Sequence, residues 1–307
     1  MTTSEHDDVV ETAREAASQA LSDALAAGVI DTMVTVPGSR DAWQQTFAGL
    51  VKDAGSQELD HPAGYMFREL PTVDGTVDYL AFLIAEMDRH GVERALLPVG
   101  EGDEWGCRGT VEHPDRLSGF HLVDPHRGVA ALESLSRLHA AGHAIAAAVF
   151  PAGLQPGLAP DAAQMYPLYV RCCELDIPVF INVGVPGPRM PMAAQHPAGL
   201  AQVCHDFPEL RVVCRHGGEP WEDLLVELMR TWPNLSYSTS AFAPRWYPES
   251  IVRYANEGGD DQIMYAGYFP SGLSLDRIFA ELPLVAFDAE VWPRFLRENA
   301  ARVLRLD

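Results

Sequence analysis

Residues 210–231 have the sequence LRVVCRHGGEPWEDLLVELMRT. The first part, 210–216, is a run of β-branched and apolar residues of the kind that forms a buried strand. The second part, 221–231, has apolar residues at helical spacing, and a Gly-Gly pair separates the two parts. This stretch therefore predicts one βα unit, in which a strand is followed by a helix that packs on the sheet.

The same alternation continues on both sides of this unit, without a sequence period. Further strand-like runs occupy 28–36, 93–99, 117–124, 143–150, 177–183, 234–240 and 262–267. Helical patterns between the runs occupy 76–90, 128–140, 162–175, 198–207 and 275–281. Eight strands joined by crossover helices predict an α/β fold, a single (β/α)8 TIM barrel, and 307 residues suit one such barrel.

Two segments are additional to the repeated units. Residues 1–27 are predicted to be an N-terminal helical extension, and residues 37–72, after the first strand, an extended loop region inserted over the catalytic face. Loops that follow strand C-termini build the active site in barrel enzymes. For 37–72, a surface insertion or a dimer contact is the alternative interpretation.

The net charge of the chain argues against two kinds of binding partner. Its 43 acidic and 22 basic residues give a net charge of −21, which repels nucleic acid and anionic membrane surfaces. No apolar run is long enough to span a bilayer, and 1–20 has no secretory-signal pattern, so a cytoplasmic location is expected. Neither a Walker loop nor a strand-led G-x-G-x-x-G is present, so no nucleotide cofactor is expected.

Five motifs spread over most of the chain carry a family resemblance. They are HPDRLSGF at 113–120, YPLY at 166–169 with IPVFI at 177–181, FPELRVV at 207–213, HGGEPW at 216–221 and ENAARVL at 298–304. Together they resemble the amidohydrolase-related family that contains aminocarboxymuconate semialdehyde decarboxylase, γ-resorcylate decarboxylase and many uncharacterised hydrolases. The resemblance implies a TIM barrel, an enzyme, and a homodimer.

It also implies a divalent metal, held by His-x-His on the first strand, a histidine on the fifth and an aspartate on the eighth. This sequence departs from that pattern, because Met33, Thr35, Asn182 and Tyr268 stand at those positions. A thioether and a hydroxyl are poor zinc ligands. We therefore expect no catalytic metal and no other cofactor. The alternative is a metal held by unaligned groups, drawn from Asp31, His61, Glu101, Asp103 and Glu219.

His216, on the sixth strand, is the family's polar site residue that remains. Its ordinary pKa is near neutrality, so His216 is the predicted general acid or base and Tyr268 a second catalytic residue. The alternatives are a structural histidine and a tyrosine that fills the emptied site. Strand alternation is expected to turn Arg215 to the opposite side from His216.

Five further residues are predicted to bind the substrate. Thr35 and Asn182 are expected to form hydrogen bonds, with Asp31 deeper in the barrel and 31, 33 and 35 on one strand face. Arg68 and Arg245 are expected to clamp a carboxylate, and the alternative for both is a salt bridge to a neighbour such as Glu69 or Glu249.

These residues predict a metal-independent enzyme that acts on a small carboxylated or carbonyl-bearing molecule by general acid–base chemistry. Decarboxylation, another lyase step, isomerisation and cyclisation all fit, and a place in secondary metabolism is suggested by analogy. One alternative is an inactive barrel that serves as a binding or scaffold protein. Another is a metal-dependent hydrolase or decarboxylase with a relocated metal site.

Overall fold

The computed structural model describes residues 3–36, 47, 49–59, 63–67, 71, 73, 77–102 and 105–306, with side chains from Glu11 onward. Half of the predicted insertion at 37–72 therefore lies outside the described residues. Within the described part, none of the helices combines the length and the apolar character needed to cross a bilayer.

Eight parallel strands run in chain order around the barrel, and each overlaps one of the predicted runs, so the predicted fold is confirmed. Their bounds are β1 (Val29–Asp31), β2 (Val92–Val99), β3 (Leu117–Leu122), β4 (Ala144–Val149), β5 (Val179–Asn182), β6 (Val212–Arg215), β7 (Leu235–Ser238) and β8 (Ile263–Met264).

Backbone hydrogen bonds beyond the ends of β1 and β8 close the ring. The Thr32 amide donates to the Tyr265 carbonyl at 3.3 Å, and the Tyr268 amide donates to the Met33 carbonyl at 2.8 Å. A third bond, from the Thr35 amide to the Phe269 carbonyl, measures 2.7 Å. The chain that follows β1 is thereby held beside the chain that follows β8.

Helices surround the strands. They are α1 (Thr3–Ala26), α2 (Ala54–Gln57), α3 (Tyr79–His90), α4 (Gly106–Glu112), α5 (Val129–Ala140), α6 (Tyr166–Leu175), α7 (Leu200–Asp206), α8 (Glu222–Thr231), α9 (Glu249–Tyr254), α10 (Leu275–Glu281), α11 (Val291–Pro293) and α12 (Asn299–Leu304). The π-helical segment Arg294–Glu298 joins α11 to α12. Local signals set the ends of α3: the Asp78 side chain accepts from the Leu80 and Ala81 amides, and Gly91 ends the helix at φ 69°.

The apolar residues form two cores. One lies between strands and helices. The other fills the barrel with side chains from most of the strands, joined by residues of α12: Ile30, Leu96, Phe120, Ala146, Ala148, Phe180, Val213, Met264, Ala300, Val303 and Leu304. The interior is thus a packed core, and the carboxyl ends of the strands are the place left for a site.

Gly119 on β3 shows how closely the strands and their connections pack. A methyl group on this residue would lie 2.3 Å from Val99 Cγ1 and 2.4 Å from the His143 carbonyl oxygen. Gly119→Ala is therefore expected to lower the free energy of unfolding by more than about 2 kcal/mol, measured by urea denaturation. Gly100→Ala is the matched control, because among the described residues no atom beyond its two chain neighbours lies within 4 Å of the added methyl. Equal stability of the two variants would contradict this account of the packing.

Candidate active site at the carboxyl ends of the strands

The ends of β1, β5, β6 and β8 bring four of the singled-out residues to one mouth of the barrel. Met33 and Tyr268 pack against the inner core, and Asn182 follows the inward-facing Phe180 by two positions on β5. Asn182, His216 and Tyr268 are all partly exposed. The sequence therefore predicted a group of residues that the fold does gather.

His216 leaves β6 with its backbone in the left-handed region, at φ 65°. Its amide donates to the Ser240 hydroxyl oxygen at 3.1 Å, and the same oxygen lies 3.1 Å from Nδ1 of the His216 ring. The ring meets the Tyr268 ring edge-on, with centroids 5.3 Å apart and planes at 80°. Both the backbone and the ring of His216 are thus held in place.

Tyr268 also has a left-handed backbone, at φ 58°. Its ring lies 6.0 Å from the Phe67 ring, and a methyl group on Gly272 would come within 2.5 Å of its Cδ1. A positive φ is rare for a bulky residue and costs about 1–3 kcal/mol. Two such residues face each other at this mouth, which is typical of a functional site.

Burial sets the protonation states of the pair. Burial lowers the pKa of His216 to about 3, and the positive charge of Arg215 lowers it further in the same direction. Burial raises the pKa of Tyr268 to about 12, against the opposing effect of Arg215. At neutral pH, His216 is therefore a neutral ring with a proton-accepting nitrogen, and Tyr268 keeps its proton.

Arg215 lies inside the barrel, so the prediction that it turns away from the site is wrong. Its Cζ lies 4.1 Å from the centre of the Phe120 ring and 4.5 Å from that of Phe180. Side chains alternate regularly along β6, because Val213 and Arg215, two positions apart, both face the barrel interior. His216 does not follow this alternation, because its backbone is in the left-handed region. Counting alternation from Val213 instead of His216 would have placed Arg215 correctly.

Burial also affects Arg215 itself. The side chain is 2% exposed, and burial lowers its pKa to about 9, so it remains a cation at neutral pH. Within the described part of the chain, its Nε and Nη2 atoms have no hydrogen-bond acceptor.

Three of the other predicted substrate-binding residues, Thr35, Arg245 and Asp31, do not join this group. Thr35 binds the loop after β8, because its hydroxyl lies 3.1 Å from the Phe269 carbonyl and 2.7 Å from the Ser271 hydroxyl. Arg245 forms an ion pair with Glu281 at 2.9 Å. Arg68 lies outside the described residues.

Asp31 is buried on the outer side of β1. Its Oδ1 accepts from the amides of Met33 and Gly267, both at 2.9 Å. Its Oδ2 and the Tyr265 hydroxyl both lie beside the α-carbon of Gly267, next to Ile278 of α10. Burial raises the pKa of Asp31 to about 7. Asp31 therefore supports the junction of β1 and β8, and residues 31 and 33 do not share one face.

The residues at the mouth do not fit a divalent metal. They offer one imidazole, a thioether, a carboxamide, a phenol and a buried guanidinium, whose positive charge opposes a second cation. One imidazole is too few, because a catalytic zinc is ordinarily held by three protein ligands. Among the described residues, no three His, Cys, Asp or Glu side chains are placed to hold a metal. Of the unaligned candidates, Glu101 pairs with Arg137 at 2.7 Å and Glu219 is exposed, while His61 and Asp103 lie outside the described residues.

An eight-stranded α/β barrel with polar side chains gathered at the carboxyl ends of its strands has the architecture of the barrel enzymes. A family model described as Amidohydrolase matches residues 30–306, and the chain belongs to the amidohydrolase family. The resemblance that the motifs predicted is thereby confirmed. No curated protein sequence shows significant similarity to the chain.

Solved structures share the fold. An uncharacterised TIM-barrel protein from Bordetella bronchiseptica is 18% identical, with a TM-score of 0.67 over 91% of this chain and 98% of that one. A 5-carboxyvanillate decarboxylase from Novosphingobium aromaticivorans, complexed with manganese and 4-hydroxy-3-methoxy-5-nitrobenzoic acid, is 16% identical, with a TM-score of 0.64 over 91% and 96%. A 2,6-dihydroxybenzoate decarboxylase from Rhizobium is 17% identical, with a TM-score of 0.59 over 91% and 99%.

Proposed function

We propose that the chain is a decarboxylase-like lyase that acts on a small carboxylated or carbonyl-bearing organic molecule without a catalytic divalent metal. The observation that carries the proposal is the edge-on pair of His216 and Tyr268, both held in left-handed backbone at the barrel mouth. At neutral pH one ring is unprotonated and offers an acceptor nitrogen, and the other ring holds a proton. Two similar structures are decarboxylases of aromatic carboxylic acids, which supports the choice of reaction.

In a decarboxylation the bond between the carboxylate carbon and its neighbour breaks, the electron pair stays on that neighbour, and CO2 leaves. The carbon must then take up a proton. We assign its delivery to the Tyr268 hydroxyl, with the cation of Arg215 favouring the phenolate that remains. The neutral ring of His216 accepts a hydrogen bond from a substrate hydroxyl, and a proton that moves to the ring along this bond returns to the same oxygen when the product forms. Solvent returns the proton to Tyr268.

Metal content and chelation test the proposal. Untagged full-length protein is expected to contain well under one equivalent of zinc, manganese or iron per chain by elemental mass spectrometry. Its turnover of a panel of aromatic and unsaturated carboxylic acids is expected to change less than about twofold after chelation, because the mouth has a single imidazole and the buried guanidinium beside it opposes a second cation. The 5-carboxyvanillate decarboxylase, which is described with manganese, serves as the comparison enzyme.

About one metal per chain, with turnover lost on chelation and regained on metal addition, would show that the proposal is wrong. Release of CO2 from a turned-over acid identifies a decarboxylase. Turnover without CO2 would replace decarboxylation by another lyase step, isomerisation or cyclisation on the same residues. The homodimer and the place in secondary metabolism stay predictions.

A further inference from the structure

We propose that Arg215 forms an anion-binding site in the barrel mouth that holds the carboxylate of a flat, conjugated molecule. This deepens the proposed function, because it names the group that holds the substrate and the positive charge that stands in for a metal ion. It is tested by binding alone, so it can fail independently of the proposed reaction.

Arg215 is buried without an ionic partner among the described residues. A buried arginine is ordinarily paired with a carboxylate, because removal of a full charge from water costs several kcal/mol. Arg215 is 2% exposed, yet none of the described carboxylates forms an ion pair with it. Asp31 lies on the outer side of β1, where it binds the amides of Met33 and Gly267. Tyr268 is a neutral phenol at physiological pH. The positive charge of Arg215 therefore has no counter-ion among the described residues, and an anionic ligand could supply one.

The guanidinium of Arg215 packs against two aromatic rings and has one edge without hydrogen-bond acceptors among the described residues. The rings of Phe120 and Phe180 lie within 4.5 Å of its Cζ. Cation–π contacts stabilise the charge but satisfy no N–H group. Nε and Nη2 both lack an acceptor among the described residues. These two atoms lie on the same edge of the planar group, which is the arrangement that binds a carboxylate through two parallel hydrogen bonds.

Three partly exposed side chains lie at the barrel mouth near Arg215, and aromatic rings surround its guanidinium. Asn182, the register neighbour of Arg215 on β5, is partly exposed, as are His216 and Tyr268. Nε and Nη2 of Arg215 are buried, so a ligand has to pass between these three side chains to reach them. Aromatic rings border the charge, so a flat, conjugated body fits beside them. Inorganic phosphate is tetrahedral and has no flat body to lie beside these rings, so it fits the site less well than an aromatic carboxylate does.

The test is isothermal titration calorimetry of the full-length chain with benzoate, with benzamide as a neutral ligand of nearly the same shape and with inorganic phosphate. Wild-type protein is expected to bind benzoate at least about tenfold more tightly than benzamide or phosphate. Arg215→Met is expected to weaken benzoate binding at least about tenfold and to leave benzamide binding unchanged. Arg215→Lys keeps the positive charge but loses the bidentate geometry. Its affinity for benzoate is expected to lie between those of the wild type and Arg215→Met. Arg253→Met, at an exposed position on α9, is the control and is expected to bind like the wild type.

Wild-type affinity for benzoate in Arg215→Met would overturn the inference, and so would equal binding of benzoate and benzamide. A second measurement covers a variant that fails to fold. Benzoate is expected to shift one arginine Nε resonance in the ¹⁵N spectrum of the wild-type protein, and the absence of any arginine shift at saturation would also overturn the inference. If benzoate binds as expected but no acid is turned over, the anion site stands and the proposed reaction fails.

Discussion

His216→Asn is expected to lower kcat/KM by about 10²- to 10⁴-fold on any acid that the chain turns over, with the fold intact. This is the range that a positioned acid–base group contributes. Asparagine is the preferred substitute because it tolerates the left-handed backbone at φ 65° and cannot titrate. Steady-state kinetics measure the loss, and circular dichroism checks the fold. His205→Asn, an exposed histidine on α7, is the matched control and is expected to retain wild-type activity.

The pH profile distinguishes an acid–base role of His216 from a structural one. Because burial and Arg215 lower its pKa to about 3, the free protein keeps the ring neutral over most of the acidic range. The acidic limb of kcat/KM is therefore expected well below pH 6.5, as far as the fold persists. Full activity of His216→Asn, or a limb at pH 6.5 that this substitution leaves in place, would contradict the assignment.

Asp31→Asn is expected to remove a pH dependence of the free energy of unfolding. Between pH 4 and pH 8 the Asp31 carboxyl is expected to lower the free energy of unfolding of the wild-type protein by about 4 kcal/mol, and the variant is expected to lack this decrease. The folded protein raises the pKa of Asp31 from 3.8 to about 7. Over that window the folded chain therefore holds a proton that the unfolded chain has released. Stability from this group is fully present below pH 3.8 and is lost as pH rises to 7, at about 1.4 kcal/mol per unit. Asparagine keeps an oxygen for the Met33 and Gly267 amides and removes the charge.

Urea denaturation of both proteins at several pH values measures this difference. The comparison with Asp31→Asn is needed because His216 contributes with the opposite sign. Its lowered pKa means that the unfolded chain takes up a proton first, so its contribution is lost as pH falls from 6.5 towards 3. Parallel stability curves for wild type and Asp31→Asn would show that Asp31 has an ordinary pKa in the folded protein.

The eight strands could be predicted because each is a compact apolar run, as in the AIAAAV sequence of β4. The positions of Asn182, His216 and Tyr268 at one mouth follow from the strand ends. Helices α4 and α9 were not predicted, since they have only 7 and 6 residues and show little apolar periodicity.

The parts of the site that sequence did not predict depend on where regular strand geometry stops. β1 ends at Asp31, so alternation no longer orders the residues beyond it, and Met33 reaches the inner core while the Thr35 hydroxyl binds the loop after β8. The left-handed backbone at His216 likewise reverses the side expected for Arg215. A positive φ at a histidine cannot be recognised from a single sequence, because glycine is the residue that ordinarily indicates this conformation.

The unpaired guanidinium of Arg215 also bears on the stability of the barrel. Replacing a buried charge by an apolar residue of similar volume is often neutral or stabilising, so Arg215→Met is expected to unfold at no lower urea concentration than the wild-type protein. The cation inside the barrel is therefore expected to lower the free energy of unfolding, and an anion that binds to it would raise the thermal stability of the protein.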